Sequence, residues 1–421
     1  MKIKSKNKKV LFAMSGGVDS SVSSLLMNKQ GFQVIGDFMK NWSDSKDDIG
    51  ECTWKQDRQE AIKISSMLNI PLITLDFEKE YRKLVIEEMF KSYKKGITPN
   101  PDVDCNQKIK FPLLRKAAKK LGAEFIVTGH YAKIKKIKDK YQLLRSEDES
   151  KDQSYFLYRL SQEDLKHSLF PIGEYTKKQI REIAKKNNFP NYDRKGTVGI
   201  CFIGKVNMKK FLQVRIPAKR GKILNPEGEK IGEHDGIYYH TLGQKMGPKF
   251  GLDILKDSDD KKQIRRWYVA KKNLKKNEIV AAPEGHEILY KKEILIKQPH
   301  WISEYEIEKL FSQKENSDYN KGTLHGFTSL SRVSTSKKSA SDSGASAPRA
   351  GRVGKTQDIT IKLHARIRQV GELLPCKLTY NKDEKKFKVA LNKAITGVSE
   401  GQAIVLYKNK ICLGGGVIGF S

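Results

Sequence analysis

The chain has 421 residues, with 81 Lys and Arg against 49 Asp and Glu and a formal charge of +32. That length exceeds one compact domain and suits two or three, and the basic excess points to a polyanion, with nucleic acid ahead of a membrane surface or a lysine-biased proteome. No apolar run approaches the roughly 20 residues of a spanning helix, the lysine-rich start lacks a signal-peptide core, and five cysteines with no CxxC pair exclude a secreted disulfide scaffold and a zinc knuckle. The chain therefore reads as soluble and cytoplasmic.

The apolar run Val10–Met14 predicts a buried strand, and a helix is expected near Ser20–Lys29. Between them stands Ser15-Gly16-Gly17-Val18-Asp19-Ser20. Its paired glycines permit a tight turn with backbone N–H groups close to a ligand. The helix start that follows favours an anion. A Walker loop would need a Lys and another spacing. Further on, Gln33–Met39 predicts a strand, Lys55–Asn69 an amphipathic helix, Pro71–Phe77 a strand and Glu80–Lys95 a helix with Leu84, Val85, Met89 and Phe90 on its apolar face. Phe125–Thr128 is another strand, ending at Gly129-His130-Tyr131. Such alternation predicts a parallel sheet covered by helices, with ligands beyond its C-terminal edge, so Met14, Met39 and Gly129 should meet.

Beyond about residue 215 the segments Ile237–Thr241, Trp267–Val269 and Ile294–Ile296 look strand-like. From Ile359 the runs Ile359–Leu363, Cys376–Tyr380, Phe387–Leu391, Ala403–Tyr407 and Ile411–Leu413 predict an antiparallel barrel or sandwich. Residues 312–357 interrupt this pattern. Ser331–Ala350 is rich in Ser, Ala and Gly and is expected to be disordered. Its surroundings hold six basic residues against Asp342, which suits either an arm on RNA phosphates or an inert insertion. The expected domains are residues 1–214, 215–290 and 291–421.

Two cysteines have unusual settings. Cys105 ends the stretch Thr98-Pro99-Asn100-Pro101-Asp102-Val103-Asp104, expected to be a rigid turn, and a following helix through Lys108 and Lys110 would favour its thiolate. Cys201 lies in Gly199-Ile200-Cys201-Phe202-Ile203-Gly204, an apolar segment between glycines. Taken singly, each also reads as a packed core thiol, as do Cys52, Cys376 and Cys412.

Together, Ala13–Ser20, Phe38–Trp42, Thr98–Asn106, Thr128–Tyr131, Lys151–Leu157, Gly199–Gly204, His240–Gln244 and Leu413–Gly416 resemble the bacterial tRNA-specific 2-thiouridylase family, in order and over nearly the whole chain. Members of that family replace the C2 oxygen of the wobble uridine with sulfur. The resemblance implies an N-terminal α/β ATP-pyrophosphatase domain with a parallel sheet, a small central domain and a C-terminal antiparallel β-barrel. It implies ATP and Mg²⁺ as cofactors, and the tRNA anticodon loop and a sulfur donor protein as partners. Ala13, Met14, Ser15, Gly16, Gly17, Val18, Asp19, Ser20, Met39 and Gly129 would line the nucleotide site, with Asp19 holding Mg²⁺ against the phosphates. Cys201 would carry a persulfide and Cys105 would act as nucleophile, leaving a disulfide between them. Asn100, Pro101, Asp102, His130, Lys151, Asp152, Gln153, Arg366, Ile367 and Gln402 would contact tRNA. Three features depart from the family pattern: Ile367 where Tyr is frequent, Gly196-Thr197-Val198 where an acidic residue and Ser are common, and the 312–357 insertion. The competing reading is a related ATP pyrophosphatase that activates a carbonyl for nitrogen, which needs no pair of thiols. A non-enzymatic RNA-binding scaffold with a relict loop is the third.

Overall fold

The computed structural model describes residues 7–43, 54–194, 196, 201, 203, 207–247, 252–254, 266–318, 359–369, 371–381 and 383–420. Cys52 and most of Gly199–Gly204 lie outside them.

The N-terminal part alternates as its apolar runs predict: β1 (Lys9–Ala13), α1 (Val18–Lys29), β2 (Gln33–Lys40), α2 (Trp54–Met67), β3 (Leu72–Asp76), α3 (residues 78–94), α4 (residues 101–120) and β4 (Phe125–Val127). A hairpin of β5 (Ala132–Ile137) and β6 (Lys140–Arg145) follows, then α5 (Gln162–Lys166), β7 (Ser168–Leu169) and α6 (Lys177–Lys186). The sheet runs β3-β2-β1-β4-β7 with every pair parallel. Val10, Leu11 and Phe12 are apolar without alternation because both faces of a central parallel strand are covered. Val10 and Phe12 pack towards α1, α2 and α6, and Leu11 towards α3 and α4. Both α3 and α4 contain a wider π-type turn, at Arg82–Ile86 and Asn106–Lys110. Such turns accompany functional sites more often than chance. The one in α4 begins directly after Cys105.

The central part carries α7 (Met208–Gln213) and a second sheet of β8 (Gly221–Leu224), β9 (Lys230–His234), β10 (Leu252–Ile254), β11 (Trp267–Asn273) and β12 (Glu278–Pro283), ordered β10-β9-β8-β12-β11. Residues Ile237–Tyr239, expected to be a strand, form a 3₁₀ turn instead. Ile237 fills the small core while Tyr239 donates its hydroxyl to the Ile216 carbonyl at 2.5 Å, so a side-chain anchor replaces a ladder.

The last part contains β13 (Tyr290–Trp301), α8 (Glu304–Asp318), β14 (Ile359–Arg366), β15 (Leu374–Asn381), β16 (Lys386–Thr396), β17 (Ala403–Lys408) and β18 (Ile411–Gly419). These six strands form an antiparallel barrel, closed where β13 meets β18. The β5–β6 hairpin of the first domain extends the same sheet, with Leu143 and Leu144 opposite Cys412 and Ile411. The segment expected to be disordered from residue 312 begins with the end of α8, whose Ile307 and Phe311 are buried in the barrel core. Residues 319–358 of it lie outside the described residues.

One core group is ill-suited to its place. Asp37 on β2 is fully buried, and neither carboxyl oxygen has a well-formed hydrogen bond. Burial pushes its pKa up to about 8, a rise only partly offset by the Leu75 N–H. Because the folded value lies above the unfolded one, this site is least costly below pH 4, and stability falls as pH rises towards 8. Asp37→Asn should match the parent near pH 4 and exceed it by on the order of 5 kcal/mol at pH 8, read from denaturant melts across that range.

Candidate active site

A cavity of about 410 Å³ opens at the C-terminal ends of β1, β2 and β4. Ala13, Met14, Ser15, Gly17, Val18, Asp19, Ser20, Met39 and Gly129 all line it, so the three strand ends expected to meet do so. Gly16 shapes the loop from behind. Its φ is +75°, and a Cβ there would stand 2.2 Å from the Asp57 carbonyl oxygen. Gly129 is equally restricted, since a Cβ would press within 3.0 Å of the Ser20 nitrogen. No side chain caps α1, whose N-terminus is free to present N–H groups to an anion. Ser20 Oγ accepts from the Ser15 N–H and donates to the Gly17 carbonyl, and Asn191 donates to the Gly16 carbonyl at 2.9 Å. Arg194 also reaches that carbonyl and pairs with Asp57.

Asp19 accepts from Lys177 Nζ with both oxygens at 2.7 Å and from the Tyr131 hydroxyl at 2.7 Å. Among the described residues no group of three His, Cys, Asp or Glu is placed to hold a metal. Asp19 is a cavity-lining carboxylate that could share a cation with the phosphates of a bound nucleotide.

Cys201 lines the far side of this cavity, and Cys105 is fully buried beside it. Asp102 accepts the Cys201 backbone N–H at 2.9 Å, and the buried Tyr81 donates its hydroxyl to the Cys201 carbonyl at 2.6 Å. Cys201 is thus clamped at both ends of its own residue. Lys110 Nζ lies 4.0 Å from Cys201 Sγ and 3.4 Å from His130 Nε2. His130 shares a 2.7 Å hydrogen bond with Thr128, and burial, helped by the Lys110 charge, holds its pKa well below the usual imidazole range.

The expectation that the helix favours a Cys105 thiolate is corrected here. Cys105 lies inside a helical run that starts at Pro101, so no helix start points at it. Complete burial pushes its thiol well up, and Lys108 turns to Asp104 at 2.9 Å. The Cys105 S–H hydrogen bonds to the sulfur of Cys201, which is the main reason the Cys201 pKa is lowered, with Lys110 adding to it. One thiol holds its proton and the other tends to lose it.

Three family models match consecutive parts of the chain: tRNA methyl transferase HUP domain over residues 8–205, tRNA methyl transferase PRC-barrel domain over 209–283 and Aminomethyltransferase beta-barrel domain over 352–418. A protein of Ruthia magnifica subsp. Calyptogena magnifica named tRNA-specific 2-thiouridylase MnmA is 36% identical over 420 residues, covering 100% of this chain and 99% of the relative. One of the same name from Proteus mirabilis is 38% identical over 414 residues, covering 98% of this chain and 97% of the relative. The chain belongs to the tRNA-specific 2-thiouridylase family. A solved 4-thiouridine synthetase–RNA complex with bound ATP is 16% identical over 50% of each chain at a TM-score of 0.32, a likeness too slight to bear on function.

The family resemblance implies ten tRNA-contacting residues, and the structure divides them. Asp102, His130 and Gln153 line the cavity, Gln153 also accepting the Tyr131 N–H at 2.9 Å. Asn100 accepts from the Val103 N–H and caps α4, which Pro101 begins. Lys151 is exposed. The other four form a seam between domains. Asp152, with a side chain 0% exposed, pairs with the buried Arg366 at 2.7 Å and accepts from Ser146 and Ser154. Ile367 is buried, and its carbonyl accepts the Tyr155 hydroxyl. Gln402 donates to the Thr98 and Pro99 carbonyls at 2.9 and 2.8 Å. Sequence reasoning passed over Tyr81, Lys177, Asn191 and Arg194, and named Lys110 only as a helix charge. Their partners lie far away in the chain, and no local spacing marks them.

In its observed setting Arg366 binds protein. Arg366→Met should leave the buried Asp152 carboxylate with only the longer 3.7 Å ion pair to Arg145 among the described residues and lower unfolding stability by about 3 kcal/mol without RNA present. A melt of the RNA-free protein reads this directly, and an unchanged transition would refute the seam.

Proposed function

We propose that this chain thiolates C2 of the wobble uridine in tRNA anticodons at the expense of ATP. The observation that carries it is that Cys201, with the Lys110 ammonium 4.0 Å from its sulfur and Cys105 buried beside it, lines the same cavity as the Ser15–Ser20 loop. A urea-like C2 oxygen is a poor leaving group, and transfer of AMP to it supplies the better one. Residues Ser15–Ser20 and the α1 N-terminus would cradle the phosphates, Asp19 would help hold Mg²⁺, which would supply positive charge there, and Lys177 would add fixed positive charge. The cavity admits a base only after it leaves its stack, which suits an anticodon loop. Asn100, Pro101, His130, Lys151 and Gln153 are the residues placed to meet the RNA.

The outer sulfur of a Cys201 persulfide attacks C2 and AMP departs. Cys105 then gives up its proton and attacks the inner sulfur, breaking the S–S bond and leaving sulfur on the base. The products are 2-thiouridine and a Cys105–Cys201 disulfide, which an external two-electron reductant reopens. The persulfide sulfur comes from a separate donor protein, and the reaction belongs to the cytoplasm. Among the described residues no helix is long and apolar enough to cross a membrane. An amidating ligase would leave both thiols without a task.

Mass analysis of the wobble uridine after incubation with ATP and a persulfide donor tests this reading, and an unmodified base under conditions where the protein binds tRNA overturns it. Asp19→Asn should slow tRNA-dependent pyrophosphate release at least about a hundredfold. Cys201→Ser should abolish thiolation while leaving slow AMP formation. Cys105→Ser should still accept the persulfide on Cys201 yet make thiolated product only near background. Peptide mapping after one turnover without reductant should find the Cys105–Cys201 disulfide, and one using Cys52 would contradict the assignment.

A further inference from the structure

We propose that Lys110 is the cation of the sulfur site, holding the Cys201 sulfur as an anion; this deepens the reading just given and rests on it. The placement comes from the π-type turn Asn106–Lys110. In a regular α-helix five positions make about 1.4 turns, which would aim residue 110 away from Cys105. A turn closed between residues five apart makes close to one full revolution. Lys110 therefore returns to the face that carries Cys105, and its ammonium stands 4.0 Å from Cys201 Sγ, a hydrogen-bond length for sulfur.

The polar groups around Cys201 come from three elements. From α4 come Asp102, Cys105 and Lys110, from α3 the hydroxyl of Tyr81, and from the turn after β4 His130, which Lys110 touches at 3.4 Å. Asp102 opposes an anion on Cys201, as does burial, and Cys105 can offer only a proton to share. His130 stays neutral because burial and the Lys110 charge both oppose its protonation. Within this set Lys110 is the one group carrying positive charge at neutral pH. An ammonium so placed stabilises a thiolate and, equally, the outer sulfur of a persulfide. A lysine that merely braced His130 would leave the titration of Cys201 unchanged.

The test measures the rate of Cys201 alkylation by iodoacetamide between pH 5 and 10, followed by peptide mass mapping, in the reduced full chain. It needs neither ATP nor tRNA, so its outcome is separate from whether the chain thiolates RNA. In Lys110→Met the apparent pKa of Cys201 should rise by about one unit, a tenfold loss of thiolate and of rate near neutral pH. Lys110→Arg keeps the charge and should restore most of it. Because unfolding would also normalise a thiol, each profile is read on protein whose melting transition is intact, with Lys110→Gln as a second neutral variant. An unshifted profile in a folded neutral variant overturns the proposal, and so does an Arg profile as displaced as that of Met.

Discussion

The short bond from the Cys201 backbone N–H to Asp102 is the contact on which the catalytic arrangement depends. It joins two stretches far apart in the chain and sets one thiol beside the other. A carboxylate in that position is costly, and burial pushes its pKa above the ordinary range. The cost is met by fixing a backbone rather than a side chain, so the sulfur itself remains free to accept and pass on an atom. Tyr81 secures the same residue through its carbonyl, so both peptide groups of Cys201 are held.

The loop leading into Asp102 is in turn held by both other domains. Lys272 of the central sheet donates to the carbonyls of Gly96 and His240, and Thr98 meets Thr241 at 3.0 Å. From the barrel, Gln402 takes the Thr98 and Pro99 carbonyls while the Thr98 N–H bonds to Glu400. Burial lowers the Lys272 pKa to about 8, a sign of how far this junction is withdrawn from water. The central sheet and the barrel therefore converge on Gly96, Thr98 and Pro99, just before the helix that carries Cys105. The Asp152–Arg366 pair and the β6–β18 ladder close the same junction from the other side.

Much of this is written locally. The strands β1 and β4 announce themselves because buried parallel strands are continuously apolar, and the barrel strands because one face is wet and the other dry. The loop at Ser15–Ser20 is readable since its geometry is local: two glycines, then a helix start. By contrast β5 is hidden by Lys133, Lys135 and Lys136, which give it the look of a charged turn. Ile237–Tyr239 misleads the opposite way, being apolar and aromatic yet held by a single hydroxyl. At the site, sequence identifies both cysteines but not the groups that surround them. Which sulfur loses its proton depends on burial and on where a distant lysine lands, and neither has a local signal. Arg366 and Asp152 show the same limit: a charged residue in a strand looks like a surface group until its partner from another domain is known.

The hairpin shared between first domain and barrel imposes an order on assembly. Its partner, β18, comes far later in the chain, so β6 is made long before the edge it needs exists. During synthesis the first domain must wait with an unsatisfied strand edge, and the barrel cannot close until β18 emerges, because β18 also completes the seam with β13. Contacts of such long range are slow to form and leave intermediates prone to pairing with neighbours. The lysines of β5 lie along the outer edge of that waiting hairpin, where charge discourages another chain from adding a strand.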